Sequence, residues 1–323
     1  AANTTGHSHT AVGFEALFTN TTAVENSAFG YQALKANTSG SGNTGLGRKT
    51  LFTNTSGSQL VAVGQGALTT DTLGSKTVAI GTFALANQNF TTATDSFNVA
   101  VGYDSGNALT TGTSNTIIGG EAGSALTTGS ENVLIGKEAG KNNVDLTTGS
   151  NNIVIGFQSR VASASQADTI VIGKQVTANT DDGFTFGLGN TDSLIVFGQT
   201  SISAPSDERL KEEIKDETIG LNFVNDLRPV TFRWKKEKDI PSDMNAYVAG
   251  SDKRTMNGKY NHGFIAQEVK ATIDKHADIK DGFELWREDD SDGRQRLAES
   301  TLIPILVKAI QELTARVKEL EDA

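Results

Sequence analysis

Ser206 and Lys211, five residues apart in the segment S-D-E-R-L-K, carry the groups of a hydroxyl nucleophile and an amine base. A lysine can take a serine proton only as the neutral amine, so burial or nearby positive charge must lower its pKa by several units from about 10.4. Spacing alone also fits a simpler reading. S-D-E-R-L-K-E-E-I over 206–214 predicts a helix, with Leu210 and Ile214 four apart, Ser206 as its N-cap and Lys211 as a solvated helix lysine. Five residues of regular helix would leave Ser206 and Lys211 about 140° apart and roughly 7.5 Å along the axis. A working pair therefore needs Ser206 in a non-helical lead-in, or a bend. Pro205 stiffens that entry by fixing its own φ and keeping Ala204 extended.

Other residues invite chemistry less strongly. His7 and His9 project from one side of an extended H-S-H segment, and three copies would bring six imidazoles together, enough for an octahedral metal site. Aligning Thr4-Thr5-Gly6 on Thr38-Ser39-Gly40, two repeats on, puts them at Ser41 and Asn43, ordinary turn positions, so two turn histidines and no metal is the expectation. G-N-T-G-L-G-R-K-T at 42–50 nearly spells a phosphate loop, but Arg48 takes the required lysine position. The sequons at Asn3, Asn20, Asn37 and Asn54 recur because a turn recurs. Glu15, Glu121, Glu131, Glu138, Asp181 and Asp182 fall at different repeat phases, and nothing selects a glycosidase pair from them. Glu288–Gly293 reads as a solvated hairpin turn rather than a calcium loop, and His262 as a strand-end or packing residue. No cofactor is expected.

The elements that must position these residues come in two kinds. Of 34 glycines, 28 precede residue 201, whereas all four prolines and both tryptophans follow it. Apolar-Gly steps recur at Gly13, Gly30, Gly47, Gly64, Gly81, Gly102, Gly119, Gly136, Gly156, Gly173, Gly187 and Gly198, mostly 17 residues apart. Each unit reads as a short β-branched strand, then Gly, a polar x-x-A-L or x-E-A-G segment and a T-T-G-S-type turn, which is a β-solenoid pattern. One coil holds only three or four apolar side chains, so stacking must supply its core, and lateral association of chains is the natural remedy for so thin a solenoid. After Pro205 the chain is charged and helical in period. It closes on Ile303, Leu306, Ile310, Leu313, Val317 and Leu320, a heptad seam.

The net charge of −10 is shared equally by the two parts, which gives no basic stripe for nucleic acid or an anionic membrane. Cysteine is absent, so no disulfide or thiolate site exists. No apolar stretch is long enough to span a bilayer, so membrane insertion is not expected. The chain begins without methionine and is expected to be a piece of something longer.

Through its N-x-A-[VI]-G-x-x-A-L pattern, residues 3–200 resemble the head repeats of trimeric autotransporter adhesins and similar repeats of phage tail fibres. The resemblance implies a left-handed β-roll or an intertwined triple β-helix, serving as stalk or receptor-binding head. Residues 201–323 resemble the intramolecular chaperone, or peptidase S74, domain that ends phage tail fibres, endosialidase tailspikes and myelin regulatory factors. The resemblance rests on S-D-x-R-x-K, L-N-F-V-N-D-L-R-P-V-T-F-R-W-K at 221–235, H-G-F-I-A-Q-E-V at 262–269 and L-I-P-I-L-V-K-A-I-Q-E-L at 302–313. It implies a homotrimer whose last domain guides folding of the fibre and then cuts itself off. Ser206 matches the nucleophile, Lys211 the base and Asp207 and Arg209 the accompanying residues, with Pro205–Ser206 as the scissile bond; Arg209 could supply the charge that Lys211 needs.

The expected architecture is a mainly β solenoid at 1–200 and an α+β chaperone at 201–323 that ends in a short coiled-coil helix. The expected setting is a phage or prophage virion fibre that meets a host-cell receptor or glycan. The alternative is a bacterial surface adhesin, or an uncleaved fibre with a permanent trimerisation cap.

Overall fold

The computed structural model describes residues 3–323 apart from 142, 179, 190, 200, 277, 278, 280–283 and 290–292. It divides into two compact units, 1–210 and 211–323.

The first unit is a solenoid of about ten coils. The coils up to Ile153–Ile155 each contribute a three-residue strand to one twelve-stranded sheet whose last three strands are longer, and successive strands of the coils pair in parallel at repeat register: Thr10 faces Ser27, Val99 faces Thr116, and Ile153 faces Ile170. These partners belong to consecutive coils of the same chain, which is the arrangement of a roll and not of three intertwined chains. The step to Gly198 is not a further coil. Thr191–Val196 turns back antiparallel on Gly183–Leu188, because eleven residues are too few to circle the solenoid, and this hairpin ends the ladder.

The middle residue of each strand points inward and is small in the early coils and larger later: Ala28, Ala62, Ala79 and Ala100, then Ile117, Leu134, Val154 and Val171, all buried. Opposite them stand Leu34, Leu51, Leu68 and Leu85, also buried. These leucines have φ near +50°, a left-handed corner that ordinarily costs about 1–3 kcal/mol. Burial of about 1.5–3 kcal/mol per leucine offsets that cost, and backbone bonds such as Leu34 N–H to Thr50 O at 2.9 Å fix the corner. The repeat glycines stack on one another. Gly102 has φ +138°, and a Cβ there would lie 2.5 Å from the Gly119 carbonyl oxygen.

Two ladders of buried asparagines run beside this core. In one, Asn43, Asn115, Asn132 and Asn152 each direct a backbone N–H at the side-chain oxygen of the rung before, at 2.8–3.0 Å, while their amides donate to carbonyls of the following coil. His9 occupies the first position of this ladder: its Nδ1 accepts the Asn26 N–H at 3.2 Å, and its Nε2 lies 3.0 Å from the Asn20 amide. The other ladder is built from the sequon residues. Asn20, Asn37 and Asn54 are buried and bonded to one another, so their amides are not presented to solvent.

The outer face of the sheet is different. The third strand residues, Val12, Phe29, Leu46, Val63, Ile80, Val101, Ile118, Ile135, Ile155 and Ile172, form an apolar row along the whole ladder, partly or largely exposed. The first strand residues run parallel to it and include no charge.

The second unit contains α1 (Leu221–Asp226), α2 (Ala266–Ile273) and α3 (Leu302–Glu321), with two antiparallel strand pairs, Val230–Phe232 on Asn261–Gly263 and Trp286–Glu288 on Gln295–Leu297. Phe223, Val269, Ile273, Ile279, Leu285, Leu302 and Ile305 form its core. Among the described residues, no helix is long and apolar enough to cross a membrane.

Short α1 is held from outside. Gly220 offers no capping side chain, and Glu312 Oε2, arriving from α3, accepts the Leu221 N–H at 2.9 Å. Glu312→Ala is expected to lower the stability of this unit by about 1–2 kcal/mol, and Glu312→Gln by less, measured by urea unfolding followed at Trp234 and Trp286. Equal midpoints for all three proteins would show that the contact contributes nothing.

Candidate functional site

Residues 201–218 are exposed throughout, Pro205 and Ser206 included. The helix expected over 206–214 is absent. Only a single 3-10 turn forms, Glu208–Leu210, and Glu213 adopts φ +53°. The physical reason is that Leu210 and Ile214 bury nothing here, and a nine-residue helix without a packed face is marginal in water. Ser206 is therefore not the N-cap of a helix. It stands in a non-helical lead-in, and the Asp207 carboxylate does the capping by accepting the Arg209 N–H at 2.9 Å.

Asp207 also takes the Arg209 guanidinium in a fork, Nε at 2.9 Å and Nη2 at 2.6 Å. That pairing holds the Asp207 carboxyl below the usual carboxylate range and raises Arg209 further. The partner that the structure gives the Arg209 guanidinium is thus its neighbour Asp207. Ser206 lies in the first compact unit and Lys211, also exposed, is the first residue of the second.

The other quoted segments meet inside the second unit. Arg228 forks onto the Glu268 carboxylate, with Nε at 2.9 Å and Nη2 completing the pair, so the R-P-V-T-F segment is tied to A-Q-E-V on α2. Arg228 holds the Glu268 carboxyl low. His262 sits opposite Thr231 in the paired strands, with Nδ1 3.3 Å from the threonine hydroxyl. Glu268 and His262 therefore have structural partners of their own. Glu288 ends a strand that pairs with Gln295, as a hairpin requires, while the acidic turn at 290–292 lies outside the described residues.

His7 Nδ1 bonds to Ser8 Oγ at 3.1 Å and His9 is engaged in the asparagine ladder. Among the described residues no three metal-capable side chains converge. The phosphate-loop look-alike is solenoid: Thr44–Leu46 is a strand, and Gly47 is one of the stacked repeat glycines.

A parallel β-solenoid followed by a small α+β region and a terminal helix fits a fibre protein of the chaperone-bearing kind. Residues 206–278 match the family model described as the chaperone of endosialidase, peptidase S74, and the match begins at Ser206 itself. No curated protein and no solved structure matches the chain.

Proposed function

We propose that this chain is a segment of a homotrimeric fibre whose last domain brings three copies together, guides folding of the solenoid and then releases itself by cutting Pro205–Ser206. The observation that carries this reading is the start of the family match at Ser206, the residue that would head the released piece. In the cut, Ser206 Oγ attacks the Pro205 carbonyl carbon while Lys211 Nζ accepts the hydroxyl proton. The C–N bond breaks, the Ser206 nitrogen takes a proton, and an ester joins Pro205 to Oγ. Water then hydrolyses the ester, leaving a Pro205 carboxylate, a restored Ser206 hydroxyl and a new amino terminus. Pro205 does not obstruct this, because its ring nitrogen belongs to the preceding bond.

Lys211 is exposed in the single chain, and burial on assembly is what would favour the neutral amine. Trimer formation is supported by two apolar surfaces: the outer sheet face of the solenoid, and the α3 seam Ile303, Leu306, Ile310, Leu313, Val317 and Leu320, exposed while Leu302, Ile305 and Ala309 pack inward. Bringing three chains into register first lowers the entropy cost of starting a long non-local β fold. The solenoid then serves as stalk or receptor-binding head of a virion fibre, its partner a host-cell receptor or glycan.

The test is the denatured mass of freshly made wild type beside Ser206→Ala and Lys211→Ala, after trimers are verified. Wild type is expected as two pieces of about 21 and 13 kDa and both variants as one. A wild type that stays whole as a trimer would make the domain a permanent cap and remove the peptidase.

A further inference from the structure

The sequon ladder changes chemistry at its fifth rung. Asn20 Nδ2 donates to Asn3 Oδ1 at 3.3 Å, Asn37 Nδ2 to Asn20 Oδ1 at 3.3 Å and Asn54 Nδ2 to Asn37 Oδ1 at 2.9 Å. Each rung gives a hydrogen back to the one before. Seventeen residues after Asn54 stands Asp71, and an ionised carboxylate has none to give. Asn54 Oδ1 is a buried oxygen without a hydrogen-bond partner. Asn152 Oδ1 shares that condition, but the residue 17 on from Asn152 is Thr169, whereas the residue 17 on from Asn54 is a carboxylic acid.

Asp71 itself is fully buried. Its Oδ1 accepts the Gly74 N–H at 3.0 Å and the Phe90 N–H at 3.2 Å, and its Oδ2 accepts Gln88 Nε2 at 2.7 Å. Gln88 also donates to Thr77 Oγ1 at 3.2 Å and accepts from Asn98 Nδ2 at 2.9 Å, so Asp71 stands where the two asparagine ladders join. From the preceding coil, Thr53 Oγ1 donates to the Asp71 carbonyl at 3.3 Å. Asn54 and Thr53 on one side, Thr72, Gly74 and Thr77 on its own coil, and Gln88 and Phe90 on the other are all uncharged. Among the described residues no cation is paired with a carboxylate placed here, which makes an ionised Asp71 costly.

We propose that Asp71 carries its proton in the folded chain and donates it to Asn54 Oδ1, closing the ladder as an acid-tightened clasp within the solenoid. Burial pushes the Asp71 carboxyl up, and the bonds from Gln88, Phe90, Gly74 and Thr72 only partly oppose it. The folded chain then keeps a proton that the unfolded chain releases near pH 3.9. Stability is fully present below that value, falls as pH rises towards the folded pKa, and levels off above it. Asp71→Asn supplies a permanent donor at the same place and removes the dependence.

The experiment compares full-length wild type with Asp71→Asn by urea unfolding from about pH 4 to pH 8, with infrared spectra of wild type carrying 13C-aspartate near pH 6, where an ordinary aspartate is ionised. The two proteins are expected to be similar at the acid end. Towards neutral pH the variant gains, with the ratio of unfolding constants growing about tenfold per pH unit until Asp71 ionises in the folded wild type. The infrared spectrum is expected to show a carboxylic-acid carbonyl band that vanishes on unfolding. A pH-independent difference between the proteins, or a folded wild type with no acid band near pH 6, overturns the proposal. The infrared measurement needs only wild type, so it decides even if the variant fails to fold.

Discussion

Gly102→Val is expected to unfold the middle of the solenoid, while Gly120→Ala, eighteen residues on, leaves it unchanged. At Gly102 two penalties coincide. Its φ of +138° lies where L side chains are strained, and a Cβ would stand 2.5 Å from the Gly119 carbonyl oxygen and 2.6 Å from its carbon. Neither atom can yield without moving the next coil, because the Gly119 N–H is itself bonded to Val101 O at 2.8 Å. Strain alone costs about 1–3 kcal/mol, and displacing a paired strand adds to it, so the loss should exceed about 3 kcal/mol. Gly120 has open space around a Cβ and no left-handed φ. Thermal unfolding followed at 218 nm would compare them. A Gly102→Val protein that melts with wild type would mean that the coils are not stacked through their glycines.

Ile310→Lys combined with Leu313→Lys is expected to separate the chains without unfolding them. Both residues are more than half exposed, at 63% and 51%, on the side of α3 that faces away from Phe223 and the core. If they form the seam between copies, losing two buried apolar side chains removes about 3–6 kcal/mol per chain, which weakens association about a hundred- to ten-thousandfold. Sedimentation should then report single chains with helical content retained. The same protein should stay uncut, because Lys211 would remain in water. Trimers cut at the wild-type rate would exclude the seam as the interface and separate cleavage from it.

The solenoid was legible because its signal is repeated. A glycine every 17 residues, a β-branched triplet before it and no proline admit few other folds. The asparagine ladders were equally repeated, yet Asn20, Asn37 and Asn54 read as turn residues, since polarity suggests exposure when one coil is considered alone. Their burial follows only from stacking, which lets Asn37 donate to Asn20 and Asn54 to Asn37. The same holds for the leucines: x-x-A-L shows a buried residue but not that its backbone turns left-handed. Around Ser206 the local pattern misled, because Leu210 and Ile214 have helical spacing but no surface to pack on in one chain. Glu312 was beyond reach of local reasoning, as its partner lies 91 residues away.

The register of the ladder also makes the solenoid a ruler. Every coil meets its neighbours through the same positions, so a whole 17-residue unit can be gained or lost by recombination with Gly stacking on Gly as before. Each such event would change the length by one strand spacing, about 4.8 Å. The 21-residue step between Gly81 and Gly102 shows the tolerance: Ile80 still pairs with Val101, and the four additional residues leave the rise of the ladder untouched. Length, for a molecule of this design, is a matter of copy number.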